Sequence, residues 1–467
     1  MLLPEEFTTY THRLLGSAQY DALAAALDEE SPTSIRLNPF KTEHGAEVCA
    51  EEGRVPWCED GFYLSQRPNF TFDPLLHAGV YYVQEAASMF VVQVLQQKVD
   101  RPVVVLDLCA APGGKSTAAR AVLPPGSVLF CNEPMAQRAQ ILTENVQKFG
   151  HPDMIVTQNS AGDYRRSGLL FDVILADVPC SGEGMFRKDP GAVAQWSRHN
   201  VERCQRLQRN ILGDIWPCLR PGGLLIYSTC TFNAEENERN VEWIAQELGA
   251  EALSVCVKEN WNIAPAIDSL LPAYRFLPGQ SRSEGLFMAV LQKTRDDVVE
   301  MPKRRGNGDR QRKMATSLHW LASDMAVEPR QRGELIVAIP SCWADLYDTA
   351  NEQLHLLHAG VTLATTKGKD FVPHPSLALS TLLSSAAFPT FDLDYGQAIA
   401  FLRKETVTLP PTLPRGFVLL RYRGIPLGFE KNIGHRANNL YPQEWRIKST
   451  HIPEEQTVIK VITQHTS

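Results

Sequence analysis

Downstream of residue 103 the chain alternates short, unbroken apolar runs with longer stretches whose apolar positions recur at helical spacing. Residues 103–107, 127–132, 154–158, 171–176 and 223–228 read as buried strands, and 135–149 and 200–219 as helices. This alternation predicts a parallel, doubly wound α/β sheet, and continuous apolar strands fit a sheet covered on both faces. The run at 286–291 reads as its last strand. Upstream, Phe7, Leu14, Leu15, Tyr20, Leu23, Ala26 and Leu27 predict a helix over about residues 5–30. Residues 32–39 then predict a short strand stopped by Pro39. The 294–313 stretch is rich in charge and glycine and reads as a linker. The rest, dense in proline and short β-like runs such as 416–422, reads as a separate α+β or β-rich region.

Composition narrows the class. In 467 residues, 44% are hydrophobic and 21% charged, an ordinary globular mix that excludes a disordered or collagen-like chain. No apolar run approaches the roughly 20 residues that cross a bilayer, and the early acids Glu5 and Glu6 argue against a secretory leader. A cytoplasmic protein without membrane contact is expected. The net charge of −7 excludes a uniformly basic coat but not local basic surfaces. Ten cysteines without a C-x-x-C pair argue against zinc ribbons and thioredoxin chemistry, so no metal is expected and the thiols should be reduced.

The first strand runs into Asp107-Leu108-Cys109-Ala110-Ala111-Pro112-Gly113-Gly114-Lys115-Ser116. This is neither a Walker loop nor G-x-G-x-x-G, but small residues at Cys109 and Ala111 let a ligand approach the backbone. Glu133 ends the next strand, where a carboxylate can accept both hydroxyls of a ribose. The pair suits a nucleoside-bearing cofactor; the alternative is a tight turn without a ligand.

Two further strand ends carry thiols. Asp177-Val178-Pro179-Cys180 follows one and Ser228-Thr229-Cys230-Thr231 ends another. A lone cysteine there is more often a small buried hydrophobe. Two converging on a cofactor crevice suit covalent catalysis. A thiolate adding to C6 of cytosine makes C5 able to attack a methyl group, and a second thiol can assist release. Asp177 is placed to hold the N3/N4 edge. These residues alone leave open which cysteine attacks.

The motifs at 107–116, 177–184 and 228–238 resemble those of the RNA cytosine-C5 methyltransferases of the Nop/Sun family. So do Ser34-Ile35-Arg36-Leu37-Asn38, Tyr82-Val83-Gln84-Glu85-Ala86-Ala87-Ser88 and the strand near 283–291. Gly182-Glu183-Gly184-Met185-Phe186-Arg187-Lys188-Asp189-Pro190 is similar to the bacterial, RsmF-like (YebU-like) branch acting on 16S ribosomal RNA. The tail around 422–442 resembles that branch's PUA-like RNA-binding region.

The resemblance implies a Rossmann-like class I methyltransferase sheet with S-adenosylmethionine as cofactor. Cys109, Ala110, Ala111, Pro112, Gly113, Gly114 and Lys115 would wrap it. Glu133 would hold the ribose and Asp163 the adenine side, with Arg138 and Asp177 in support. Cys230 would be the nucleophile, Cys180 would aid release, and Lys115 and Asp177 would act at the target base. Val178 departs from the family's usual alanine.

The implied layout is an N-terminal RNA-binding α+β region at 1–75 and a methyltransferase domain at 76–293. A linker follows at 294–315, then a PUA-like RNA-binding region within 316–467. The expected partner is 16S ribosomal RNA of the small subunit, met by a monomer. The alternatives are a tRNA cytosine-C5 methyltransferase and a non-catalytic ribosome assembly factor. Arg421, Arg423, Lys431, Arg436, Arg446 and Lys448, interleaved with Tyr422, Phe429, Tyr441 and Trp445, suit RNA phosphates and stacking. Arg187, Lys188 and Arg198 either line the target entrance or are ordinary surface charges. Lys303, Arg304, Arg305, Arg310, Arg312 and Lys313 read as solubilising linker charges.

Overall fold

The computed structural model describes residues 2–42, 46–295, 318–322, 326–368, 370–449 and 451–460. The expected linker and its cations from Lys303 to Lys313 lie outside these residues, apart from Thr294 and Arg295.

A ten-stranded sheet organises the middle of the chain. Its five central strands are parallel, in the spatial order Leu219–Thr229, Phe171–Asp177, Val104–Asp107, Val128–Asn132, Met154–Thr157. The chain winds outward from Val104–Asp107, then returns to Phe171–Asp177 on its other side. That reversal opens a crevice at the carboxyl ends of the strands, where such folds bind ligands. The sheet is mixed rather than wholly parallel. Leu286–Lys293 runs antiparallel to Leu219–Thr229, and Tyr274–Phe276 and Ala264–Pro265 extend that edge. Continuous apolarity reports burial on both faces, not strand direction.

The opposite edge is closed by Leu356–Ala359, which pairs antiparallel with Met154–Thr157. The region expected to be separate thus donates a strand to the central sheet, because an open edge of backbone donors and acceptors favours a partner. Trp343, buried on that side, donates from Nε1 to Asp153 Oδ1 at 3.0 Å.

The N-terminal helix is two helices, Glu5–Leu15 and Ser17–Leu27, broken at Gly16 with φ +75°. Apolar spacing continues across the break, so periodicity did not reveal it. A four-stranded antiparallel sheet follows, with Thr33–Leu37 between Gly61–Leu64 and Tyr81–Val83. Its Ile35, Phe62 and Tyr81 share one apolar cluster with Ile399, Val418 and Tyr441 of the C-terminal region. The two ends of the chain therefore pack on each other. The C-terminal region adds two four-stranded sheets, one holding Gly416–Tyr422 and Ile425–Asn432 beside the helix Tyr395–Leu402. Among the described residues no helix is long and apolar enough to cross a membrane.

Candidate active site

The strand Val104–Asp107 ends in a loop that opens the helix Gly114–Val122. Gly113 takes φ +114°, a left-handed conformation that side chains disfavour, which is the reason for glycine there. The loop is pinned from the helix Ala136–Phe149. Arg138 Nη2 donates to Ala111 O at 2.8 Å, and Asn145 Nδ2 to Pro112 O at 2.8 Å. The loop walls a cavity of about 230 Å³ that also touches Gln84, Glu85, Ser88, Asp107, Cys109, Ala110, Gly114, Lys115 and Asp177. Asp107 is buried, with Oδ2 accepting from Ser116 Oγ at 2.6 Å and Oδ1 unpartnered. Burial pushes its carboxyl up to about 7.

Glu133 stands at the end of the neighbouring strand, 1% exposed. Its Oε1 accepts from Met135 N, and its Oε2 lies 3.3 Å from Arg138 Nη1 without forming a hydrogen bond. Arg138 thus braces both the loop and Glu133. The Asp163 carboxylate closes a capping box on the helix Ala161–Ser167, taking Ser160 N at 2.8 Å and Ser160 Oγ at 2.7 Å, and pairs with Arg166. Asp163 does not line the cavity, and its acceptors are used within its own helix.

Lys115 Nζ reaches Asp177 Oδ2 at 2.9 Å and Ser88 Oγ at 3.3 Å. Burial opposes its charge, but Asp177 overcomes that and holds the ammonium above its ordinary range. Asp177 Oδ1 accepts from Ser228 Oγ at 2.7 Å, across the pairing that sets Asp177 opposite Ser228. These strands carry both cysteines to one place, with Cys180 Sγ and Cys230 Sγ 3.3 Å apart. The Cys180 thiol is pushed well above its ordinary range by that contact and by burial.

Two buried carboxylates, not singled out from the sequence, tie the cysteine loops together. Glu183 Oε2 accepts from Phe232 N at 2.5 Å and Asn233 N at 3.0 Å, and its Oε1 from Trp196 Nε1 at 2.8 Å. Glu236 Oε2 accepts from Ser181 N at 3.0 Å and Gln208 Nε2 at 2.7 Å, and Asn233 Nδ2 donates to both acids. Each loop thus receives an acid from the other. The available signal was an acid inside both cysteine motifs, but spacing along the chain does not show that the acids are buried.

The proposed RNA-facing charges fare unevenly. Lys188 pairs with Glu284 at 2.5 Å and Arg198 with Glu235 at 2.7 Å, so both are engaged within the protein. Arg421 pairs with Asp392, and Arg423 with Glu455 at 2.5 Å. Phe429, Tyr441 and Tyr422 are buried and pack the core rather than stand ready to stack bases. Arg436, Arg446 and Lys448 are exposed.

Comparison with known proteins agrees with this architecture. Residues 92–292 match the family model of the 16S rRNA methyltransferase RsmB/F. Residues 3–86 match the N-terminal domain of 16S rRNA methyltransferase RsmF, and 388–447 the methyltransferase RsmF PUA domain. The ribosomal RNA small subunit methyltransferase F of Escherichia coli O6:H1 (strain CFT073) is 30% identical over 476 residues, covering 94% of this chain and 96% of the relative. Its counterpart in E. coli O81 (strain ED1a) is 30% identical over 474 residues, with the same coverage. A methyltransferase homolog from Pyrococcus horikoshii superposes with a TM-score of 0.53 at 26% identity, covering 62% of this chain and 95% of that one. NSun6 from P. horikoshii, solved with SFG, shares the fold at 21% identity and TM-score 0.53, over 63% of this chain and 99% of that one. Near-complete coverage and three matched regions in chain order lead to one conclusion: the chain belongs to the RsmB/F family of 16S ribosomal RNA methyltransferases.

Proposed function

We propose that this chain methylates C5 of a cytosine in 16S ribosomal RNA, with S-adenosylmethionine as donor and a covalent bond between Cys230 and C6 of the base. The observation that carries this reading is the 3.3 Å contact of two thiols beside the Lys115–Asp177 pair on the cavity wall.

The cavity, with Asp107 on its wall and Glu133 at the end of the neighbouring strand, suits the cofactor. Glu133 Oε2 and Asp107 Oδ1 are buried acceptors without a hydrogen bond in the protein, which suits a ligand rich in donors. Cys109, Ala110, Ala111, Pro112, Gly113, Gly114 and Lys115 would wrap the cofactor and Glu133 would take its ribose hydroxyls, while Arg138 braces the loop. When bound there, S-adenosylmethionine supplies an electrophilic methyl group.

Cys230 acts as its thiolate, with the Cys180 S–H donating to it. Its addition to C6 moves electron density onto C5. Asp177, held by Lys115 and Ser228, accepts from the N3/N4 edge and favours the protonated ring. Once C5 carries the methyl group, solvent water in the open crevice takes the C5 proton, the C–H electrons re-form the C5=C6 bond, and the Cys230–C6 bond breaks to leave the Cys230 thiolate, to which the Cys180 S–H again donates. The PUA-matched region, with Arg436 and Arg446 exposed and Lys448 exposed just beyond it, holds the ribosomal RNA.

The test is a denaturing gel of Cys180→Ser and Cys230→Ser proteins incubated with S-adenosylmethionine and small-subunit RNA. A covalent RNA–protein band is expected with Cys180→Ser and none with Cys230→Ser. The reverse pattern exchanges the roles. No band with either, under conditions where the unchanged protein methylates, removes the covalent step. Bisulfite sequencing of ribosomal and transfer RNA from a deletion strain checks the substrate; loss confined to a tRNA site overturns 16S RNA as the target.

A further inference from the structure

Gln84 follows the strand Tyr81–Val83 and is 6% exposed on the wall of the cavity that holds Lys115 and Asp177. Its Oε1 accepts from Arg36 Nε at 2.8 Å. A guanidinium can only donate, so this contact fixes which end of the amide is which. Arg36 is itself buried and held by Thr117 Oγ1 at 2.6 Å, within the helix Gly114–Val122. The other end of the amide, Nε2, is buried and has no partner in the protein. Buried donors are almost always paired, so an orphan fixed in orientation on a residue that lines a cavity points to a ligand acceptor.

The surroundings say what kind. Nε2 lies 3.5 Å from the point where a Cβ on Gly114 would sit. Gly114 is the first residue of a nine-residue helix whose N-cap, Gly113, offers no side-chain hydrogen bond. The N–H groups of an uncapped first turn, with the helix dipole behind them, favour an anion. An orphan amide donor and an open helix start thus meet at one corner of the cavity.

We propose that Gln84 Nε2 and the first turn of Gly114–Val122 form an oxyanion subsite, with Arg36 as the positioning residue that aims the amide. The anion is the carboxylate at the amino-acid end of the cofactor or a phosphate of the RNA strand entering beside it. The unpartnered Asp107 Oδ1 on the same cavity wall complements an ammonium, and the two together match an α-amino acid. The inference rests on the cofactor reading above. Gln84 belongs to the region matched at 3–86 and the helix to that matched at 92–292, so the subsite is shared between them.

Calorimetry on the full chain tests this, with S-adenosylhomocysteine and its decarboxylated analogue as probes and filter binding of a 16S RNA fragment in parallel. Gln84→Glu keeps an acceptor for Arg36 but places negative charge at the subsite. S-adenosylhomocysteine affinity should fall about tenfold or more, while the decarboxylated analogue changes less than about twofold. Weakened RNA binding with unchanged S-adenosylhomocysteine affinity assigns the subsite to a phosphate. Gly114→Ala adds a methyl group at ordinary contact distance, 3.4 Å from Tyr82 Cε1 and 3.5 Å from Gln84 Nε2, and should give the same pattern by filling the corner. Two folded variants that leave all three affinities unchanged overturn the subsite. No S-adenosylhomocysteine binding by the unchanged protein overturns the cofactor reading instead, and the RNA arm then decides the subsite.

Discussion

Cys180 and Cys230, fifty residues apart in the chain, meet sulfur to sulfur at 3.3 Å where two parallel strands end. At this separation the pair should oxidise as a unit. Hydrogen peroxide is expected to take two thiol hydrogens and leave a disulfide, with loss of methylation that dithiothreitol restores. The denatured, oxidised protein should then titrate two thiols fewer than its ten cysteines. Full inactivation with all ten still titratable would contradict this.

Gly184 sets the spacing of that pair from the other side. Its N–H donates to Cys230 O at 2.7 Å, and a Cβ there would meet the same oxygen at 2.9 Å. The neighbouring carbonyls of Glu284 and Gly285 would lie at 3.2 Å, so backbone rather than a flexible side chain has to give way. Gly184→Ala should displace the Cys230 loop and lower kcat by roughly a hundredfold, the scale of an ångström's misplacement at a reacting atom. Affinity for S-adenosylhomocysteine should hold. An unchanged kcat would show that the loop absorbs the methyl group.

Glu430 is buried in the C-terminal sheet with one donor, Val407 N, and an unpartnered Oε2. Burial raises its pKa from 4.5 to about 7. The native chain therefore keeps a proton that the unfolded chain has lost over that interval, so the Glu430 contribution falls as pH rises through it. Glu430→Gln keeps an acceptor for Val407 and removes the buried charge. It should stabilise the protein by about 2 kcal/mol at pH 8 and not at pH 4. Urea unfolding at the two pH values gives the comparison; equal effects at both rule out the titration.

Trp343 links the donated edge strand to the rest of the sheet through Asp153. Trp343→Ala removes a buried ring and leaves the Asp153 carboxylate short of a donor, for an expected cost of about 3–5 kcal/mol. Because Leu356–Ala359 is part of the central sheet, cofactor binding and C-terminal structure should be lost in one urea transition. Two separated transitions would show that the region folds on its own.

The parallel strands were legible because each is a short apolar run bounded by breakers, and the motifs sit at their carboxyl ends, where this fold exposes side chains. Both cysteines, Glu133 and Asp177 stood out for that reason, whereas Lys115 was named from the family resemblance. Gly16 was missed because an amphipathic period can run through a break in the backbone. Asp163 caps its own helix in the structure, a use that a carboxylate three residues after a serine shares with ligand binding and that spacing alone does not separate from it. Arg421, Arg423 and the tail aromatics looked ready for RNA until their partners and their burial were visible.

What the sequence by itself determined was a set of local features, a small-residue loop, a strand-end acid and two strand-end thiols, each written in consecutive residues. The tertiary structure alone decided how these features act together. Register between non-consecutive strands brings the thiols within 3.3 Å, and the acids Glu183 and Glu236 lock them there. An arginine from the N-terminal region fixes the orientation of the Gln84 amide. Such contacts join residues from 48 to 55 positions apart in sequence, and their geometry follows from packing that no local pattern encodes.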